Sequence, residues 1–188
     1  MKLIRTACLY TVFTAILLGI AYPLAITAIA QLTMRQKANG QLVSRDGQTI
    51  GSAIIGQPFY GPGYFHSRPS AAGTGYDASA SSGSNYATTN KALIDRVALT
   101  VKSESTGAPV PIDLVTASAS GLDPDISPAA ALYQAPRIAQ ERHMSQAEVI
   151  DLIQQHIQPR QLGLLGEPRV NVLALNLALP QTNLPPTH

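Results

Sequence analysis

From Thr6 to Met34 the chain carries no charged residue, and within that stretch Ala7 to Ala30 is dominated by Ala, Leu, Ile, Val, Phe and Thr. As a helix rising about 1.5 Å per residue, those residues extend roughly 36 Å, more than the roughly 30 Å hydrocarbon core of a bilayer. The stretch therefore predicts one transmembrane helix in contact with membrane lipid, with a short tail and anchor over 1–34 and one water-soluble domain over 35–188. Lys2 and Arg5 on one side, and Arg35 and Lys37 on the other, can reach the headgroups. Pro23 removes one backbone hydrogen bond and can kink the helix. Ala7, Thr11, Ala15 and Gly19 recur every four residues, and small residues at that spacing let a second helix approach closely. The same residues are also simply common in membrane helices. Ala28-Ile29-Ala30 resembles a signal-peptidase site, which would leave a chain beginning at Gln31, but the apolar stretch far exceeds a signal peptide's 7–15-residue core.

Charge does not orient the anchor, because Lys2, Arg5 and the amino terminus face Arg35, Lys37 and Arg45 in a near tie. All acidic residues lie beyond residue 34, and the basic residues there balance them, so the domain is formally neutral. Without a basic run it lacks the electrostatic footprint of a nucleic-acid binder. The single cysteine, Cys8, lies in the apolar stretch and excludes a disulfide framework or a cysteine metal site.

The soluble part reads as α+β, because helix and strand signals are mixed without regular βαβ alternation. Asp46-Gly47 between Leu42–Arg45 and Gln48–Gly51 is a hairpin signal. Residues 56–90 are rich in Gly, Pro, Ser and Asn, and too long for an ordinary connection. Their interleaved Phe59, Tyr60, Tyr64, Phe65, Tyr76 and Tyr86 argue against a disordered linker. Asn90 caps a predicted helix over Lys91–Lys102, with Leu93, Val97 and Val101 on one face. A strand is expected over Ile112–Thr116. Ser127-Pro128 opens a helix through Tyr133 that Pro136 interrupts or ends. Ser145 and Glu148 form a capping box before Val149, Leu152, Ile153 and His156. Alternation of Leu173, Leu175, Leu177 and Leu179 predicts a strand over Val170–Leu179, with a frayed tail after Pro180.

Catalytic patterns do not emerge. None of the four lysines follows a glycine or an aspartate, so neither a P-loop nor the phosphorylated Asp-Lys-Thr-Gly of P-type ATPases is present. No serine has glycine at both −2 and +2. His66, His143 and His156 lack a zinc-protease partner pattern, and His156 sits on an apolar stripe. Asp123-x-Asp125-x-Ser127 begins like a calcium loop, but Pro128 stands where the turn needs glycine, which favours side chains capping backbone groups. Arg68, Arg137 and Arg169 each adjoin a proline and can bind an anion, a partner's carboxylate or loop carbonyls. No metal site is expected.

Five loop sequences go further. Gly63-Tyr-Phe-His-Ser-Arg-Pro-Ser70, Ser82-Gly-Ser-Asn85 with Asn90, Val115–Pro124, Tyr133-Gln-Ala-Pro-Arg-Ile-Ala139 and Arg169–Leu179 stand in one order behind a single helix. Together they resemble the C subunit of the bacterial Kdp-type potassium-transporting ATPase over nearly the whole chain. Tyr86 and residues 87–89 depart from the family's pattern. The resemblance implies a non-enzymatic subunit of a high-affinity, ATP-driven potassium import pump in the bacterial inner membrane. Its partners would be a channel-like A subunit, a P-type ATP-hydrolysing B subunit and a small F subunit. It further implies a cytoplasmic amino terminus and a domain on the outer, periplasmic side. The family role includes that of a catalytic chaperone raising the B subunit's affinity for ATP, with Gln134 as the implied nucleotide contact. Two rival readings are an anchored periplasmic enzyme and an exported binding protein.

Overall fold

The computed structural model describes residues 1–180, so the tail after Pro180 lies outside the described residues. The chain divides into two compact units, Met1–Val43 and Ser44–His188.

The first unit is dominated by a continuous helix, Lys2–Thr33, long and apolar enough to cross a membrane. It comprises α1 (Lys2–Ile16), a π-turn (Leu17–Ala21) and α2 (Tyr22–Thr33). The π-turn answers Pro23, which cannot donate to the carbonyl of Gly19 and would collide with it. Widening the preceding turn, with the Tyr22 N–H donating to the Leu17 carbonyl, accommodates the ring. Thr6, Thr14 and Thr33 return their hydroxyl protons to carbonyls four residues back, so the helix satisfies its hydroxyls internally. A short α3 (Arg35–Ala38) follows.

The hairpin forms as expected, β1 (Leu42–Arg45) beside β2 (Gln48–Ser52), with Asp46 and Gly47 both at positive φ. Asn90 caps α4 (Lys91–Glu104), a helix that buries none of its residues. Residues 112–116 depart from the expected strand. Ile112–Leu114 is a 3-10 turn, because Pro111 fixes the φ that opens it, and only Leu114 and Val115 turn inward.

Three very short antiparallel strands, β3 (Asp125–Ile126), β4 (Ile157–Gln158) and β5 (Arg169–Asn171), form a sheet with β5 in the middle. Ile126 and Ile157 both register against Val170. Ser127 and Pro128 start α5 (Pro128–Arg142), which continues through Pro136 instead of ending there. The carbonyl that loses its donor belongs to Leu132, on an exposed side of the helix, where water can replace it. His143, at φ 55, closes α5 in the left-handed conformation. The capping box of Ser145 and Glu148 opens α6 (Gln146–His156) as expected.

The expected strand over Val170–Leu179 is half right. It is β5 for three residues and then α7 (Val172–Ala178), capped by Asn171, whose side chain accepts from the Ala174 N–H at 3.0 Å. Helices α5, α6 and α7 pack against the sheet around Ile138, Val149, Ile153, Val170, Val172 and Leu175, all buried.

Candidate functional site

Residues 53–90 contain no helix or strand, yet Phe65 and Ala72 are fully buried. Two side-chain amides do the work that a neighbouring strand does elsewhere. The Phe65 N–H donates to Asn176 Oδ1 at 2.8 Å, and Asn176 Nδ2 donates back to the Phe65 carbonyl at 2.9 Å. One residue on, the His66 N–H donates to Gln134 Oε1 at 2.7 Å, and Gln134 Nε2 donates to the His66 carbonyl at 3.3 Å. Asn176 comes from α7 and Gln134 from α5, so the two amides grip adjacent residues from different helices. An amide fits this task because it offers a donor and an acceptor side by side, as a peptide group does.

Two arginines on α5 extend the grip. Arg137 Nη1 donates to the carbonyls of Pro62 and Tyr64, and its Nη2 donates to Gln134 Oε1 at 2.7 Å. Arg142 Nε donates to the Gly63 carbonyl and Nη1 to that of Pro180, while its guanidinium lies 4.8 Å from the centre of the Tyr64 ring. Burial pulls both guanidinium pKa values down from the ordinary range, although arginine remains charged at any physiological pH. His66 links the segment to α4 through Nδ1, 3.5 Å from Glu104 Oε1. That hydrogen bond lowers the Glu104 pKa, against the opposing effect of burial.

Further along, Ser70 Oγ donates to the Gly121 carbonyl at 2.6 Å and accepts from the Tyr76 N–H at 2.7 Å. Tyr76 donates its phenol proton to the Arg68 carbonyl at 2.6 Å, and burial, with Tyr60 nearby, pushes its pKa up to about 12. Gly121, at φ +67, cannot be replaced here, because a Cβ would stand 2.4 Å from the Ser82 carbonyl oxygen.

Beside this segment lies an open cleft of about 450 Å³, lined by Arg68, Asp113, Asp123, Asp125, Glu167 and Arg169 among others. Its charges are paired. Arg68 meets Asp123 at 3.2 Å, Arg169 meets Asp125 at 3.0 Å, and Glu167 meets Arg160 at 2.6 Å. Asp113 accepts from the Ser127 N–H at 2.7 Å, and Asp123 from that of Asp125 at 3.1 Å. Desolvation raises the Asp125 pKa, while Asn171 and Arg169 oppose the rise.

The structure therefore brings Gln134 and Arg137 together, places Arg68 and Arg169 on one cleft, and keeps the two groups apart as separate sites. Ala7, Thr11 and Ala15 lie exposed on α1, while Gly19 falls in the π-turn with nothing within 4 Å of where its Cβ would be. Gln134 is 2% exposed, and both amide protons and both acceptor positions of its oxygen are used within the domain, the second proton by the Ala130 carbonyl. A nucleotide contact does not fit there, since no hydrogen-bonding capacity is left to offer. Sequence reasoning missed Asn176 and Arg142. Asn176 was placed on an expected strand, and Arg142 beyond the expected end of its helix.

Comparison with known proteins gives a consistent picture. A family model described as KdpC, the K+-transporting ATPase c chain, matches residues 4–181. A potassium-transporting ATPase KdpC subunit of Acidobacterium capsulatum is 61% identical over 182 residues, covering 96% of this chain and 99% of that protein. Subunits of the same description from Koribacter versatilis and Rhodopseudomonas palustris are 54% and 52% identical, covering 99% and 95% of this chain and 98% of each relative.

Proposed function

Since the chain belongs to the family of K+-transporting ATPase c chains, we propose that it is a membrane-anchored, non-catalytic accessory subunit of a potassium-importing pump. The full-length similarity to relatives named as subunits of that ATPase carries the reading. It favours a pump subunit over an exported enzyme or binding protein. The partners are a channel-like potassium-selective subunit, a P-type ATP-hydrolysing subunit and a small fourth subunit. The amino terminus lies in the cytoplasm, and the domain stands outside the inner membrane. Helix Lys2–Thr33 supplies the anchor, and Ala7, Thr11, Ala15 and Gly19 form the face on which a partner helix packs.

Within the domain, Gln134 acts as a clamp on the Pro62–His66 segment and not as a nucleotide ligand. Arg68, Arg137 and Arg169 hold loops and strands together, and a partner meets the surface they shape. Any effect on ATP affinity is then transmitted through assembly. Purification of the tagged full chain in mild detergent tests the reading, with the channel-like and ATP-hydrolysing subunits expected in stoichiometric amounts. Recovery of the chain without them contradicts it.

A further inference from the structure

The connection between β4 and β5 ends in a tip that water does not suit. Leu162, Leu164 and Leu165 are 90%, 80% and 59% exposed. Elsewhere in the second unit, exposed large apolar residues such as Ile54, Tyr86, Leu99 and Ile112 are dispersed along the sequence, which is ordinary for a soluble surface. Here three leucines fall within four residues on a defined turn. The Gln161 and Leu165 N–H groups each donate to the other residue's carbonyl at 2.9 Å, closing a three-residue loop. Leu162 holds φ +53, a left-handed conformation unfavourable to a leucine. Gly163 and Gly166 adopt positive φ with open space where a Cβ would be, so the tip packs on nothing in the domain. Below the leucines, Arg160 and Glu167 pair at 2.6 Å and leave the neck without net charge.

We propose that this leucine tip is a second membrane contact, inserting into the interfacial region of the bilayer that holds the anchor. Three features commit it to lipid. Its side chains are purely aliphatic and lie on a projecting turn, whereas a protein interface of ordinary size needs a broad patch of about 800 Å² on each partner. The neutral neck can approach headgroups without carrying an unpaired charge into them. Residues 34–43 alone separate the end of α2 from the second unit, at most about 36 Å of extended chain, so a lipid surface is always present at high effective concentration. Three leucines are too few for lasting attachment alone, but a tether makes weak insertion sufficient.

The chain contains no tryptophan, so Leu164→Trp creates a single fluorescent reporter at the tip, and Ser103→Trp on exposed α4 serves as a control. Full-length variants are reconstituted into phosphatidylcholine vesicles, with or without bromine on the upper acyl carbons. The proposal expects a blue-shifted emission from Leu164→Trp that brominated lipid quenches, with the control unaffected. Blue-shifted but unquenched emission would mean that protein covers the tip and would overturn the proposal. Red emission open to aqueous iodide would overturn it as well, by leaving the leucines in water. Quenching of both reporters alike would overturn it too, since the whole domain would then lie on lipid.

Discussion

The anchor helix and the segment 56–90 solve the same problem in opposite ways. The anchor satisfies its backbone within itself and presents apolar side chains with no partner in its own unit. Segment 56–90 has no repeating backbone pattern, and its order comes from side chains brought to it by α5, α7 and the 118–123 loop. A regular helix can thus be read from composition alone. An irregular segment becomes ordered only when distant residues supply the donors and acceptors that its backbone lacks.

The contrast can be broken most severely at the amides. Gln134→Ala leaves the buried His66 backbone groups unpaired and strips Arg137 of one acceptor. An unsatisfied buried group costs about 1–3 kcal/mol, so denaturant unfolding should show a loss of several kcal/mol. Asn176→Ala should cost about 2–4 kcal/mol by the same mechanism at Phe65. A loss below about 0.5 kcal/mol for either variant, within the range of ordinary surface changes, would mean that water replaces the clamp. Tyr76→Phe, which removes one hydrogen bond, should cost about 1 kcal/mol.

At the anchor the expectation is reversed. Ala15→Leu with Gly19→Leu should leave domain unfolding unchanged while co-purification of partner subunits falls, because a helix face without contacts in its own unit has none to lose. Normal assembly of this variant would reduce the helix to a tether.

The smallest effect concerns pH. Glu104 has a folded pKa below its ordinary value, so its hydrogen bond to His66 contributes stability above the unfolded glutamate pKa of about 4.3 and loses it as pH falls through the lower folded value. Thermal melts should show a shallower acid loss for Glu104→Gln than for the unaltered chain. Equal slopes would place the acid sensitivity elsewhere.

Much of this organisation was legible in advance where the deciding chemistry is local. Asn90, Ser127-Pro128 and Ser145 with Glu148 start helices as their capping chemistry requires, and Asp46-Gly47 makes its turn. Misreadings arose where long-range partners decide. In α7 the buried positions Val172, Leu175, Asn176 and Leu179 follow helical spacing, but Asn176 is polar and hides that period, leaving the alternating leucines to suggest a strand. The residue that concealed the helix is the one that grips Phe65. Pro136 misled for a related reason, because its cost depends on whether Leu132 faces water or core. Likewise, nothing local to Gln134 distinguishes a ligand-binding amide from a saturated one.

Hydrogen exchange at the Phe65 and His66 amides of the full chain tests the clamp most directly. Strong protection is predicted in the unaltered protein, unchanged by added ATP and lost at His66 in Gln134→Ala while α6 stays protected. Rapid exchange at both amides in the unaltered chain, or protection that appears only with ATP, would contradict it.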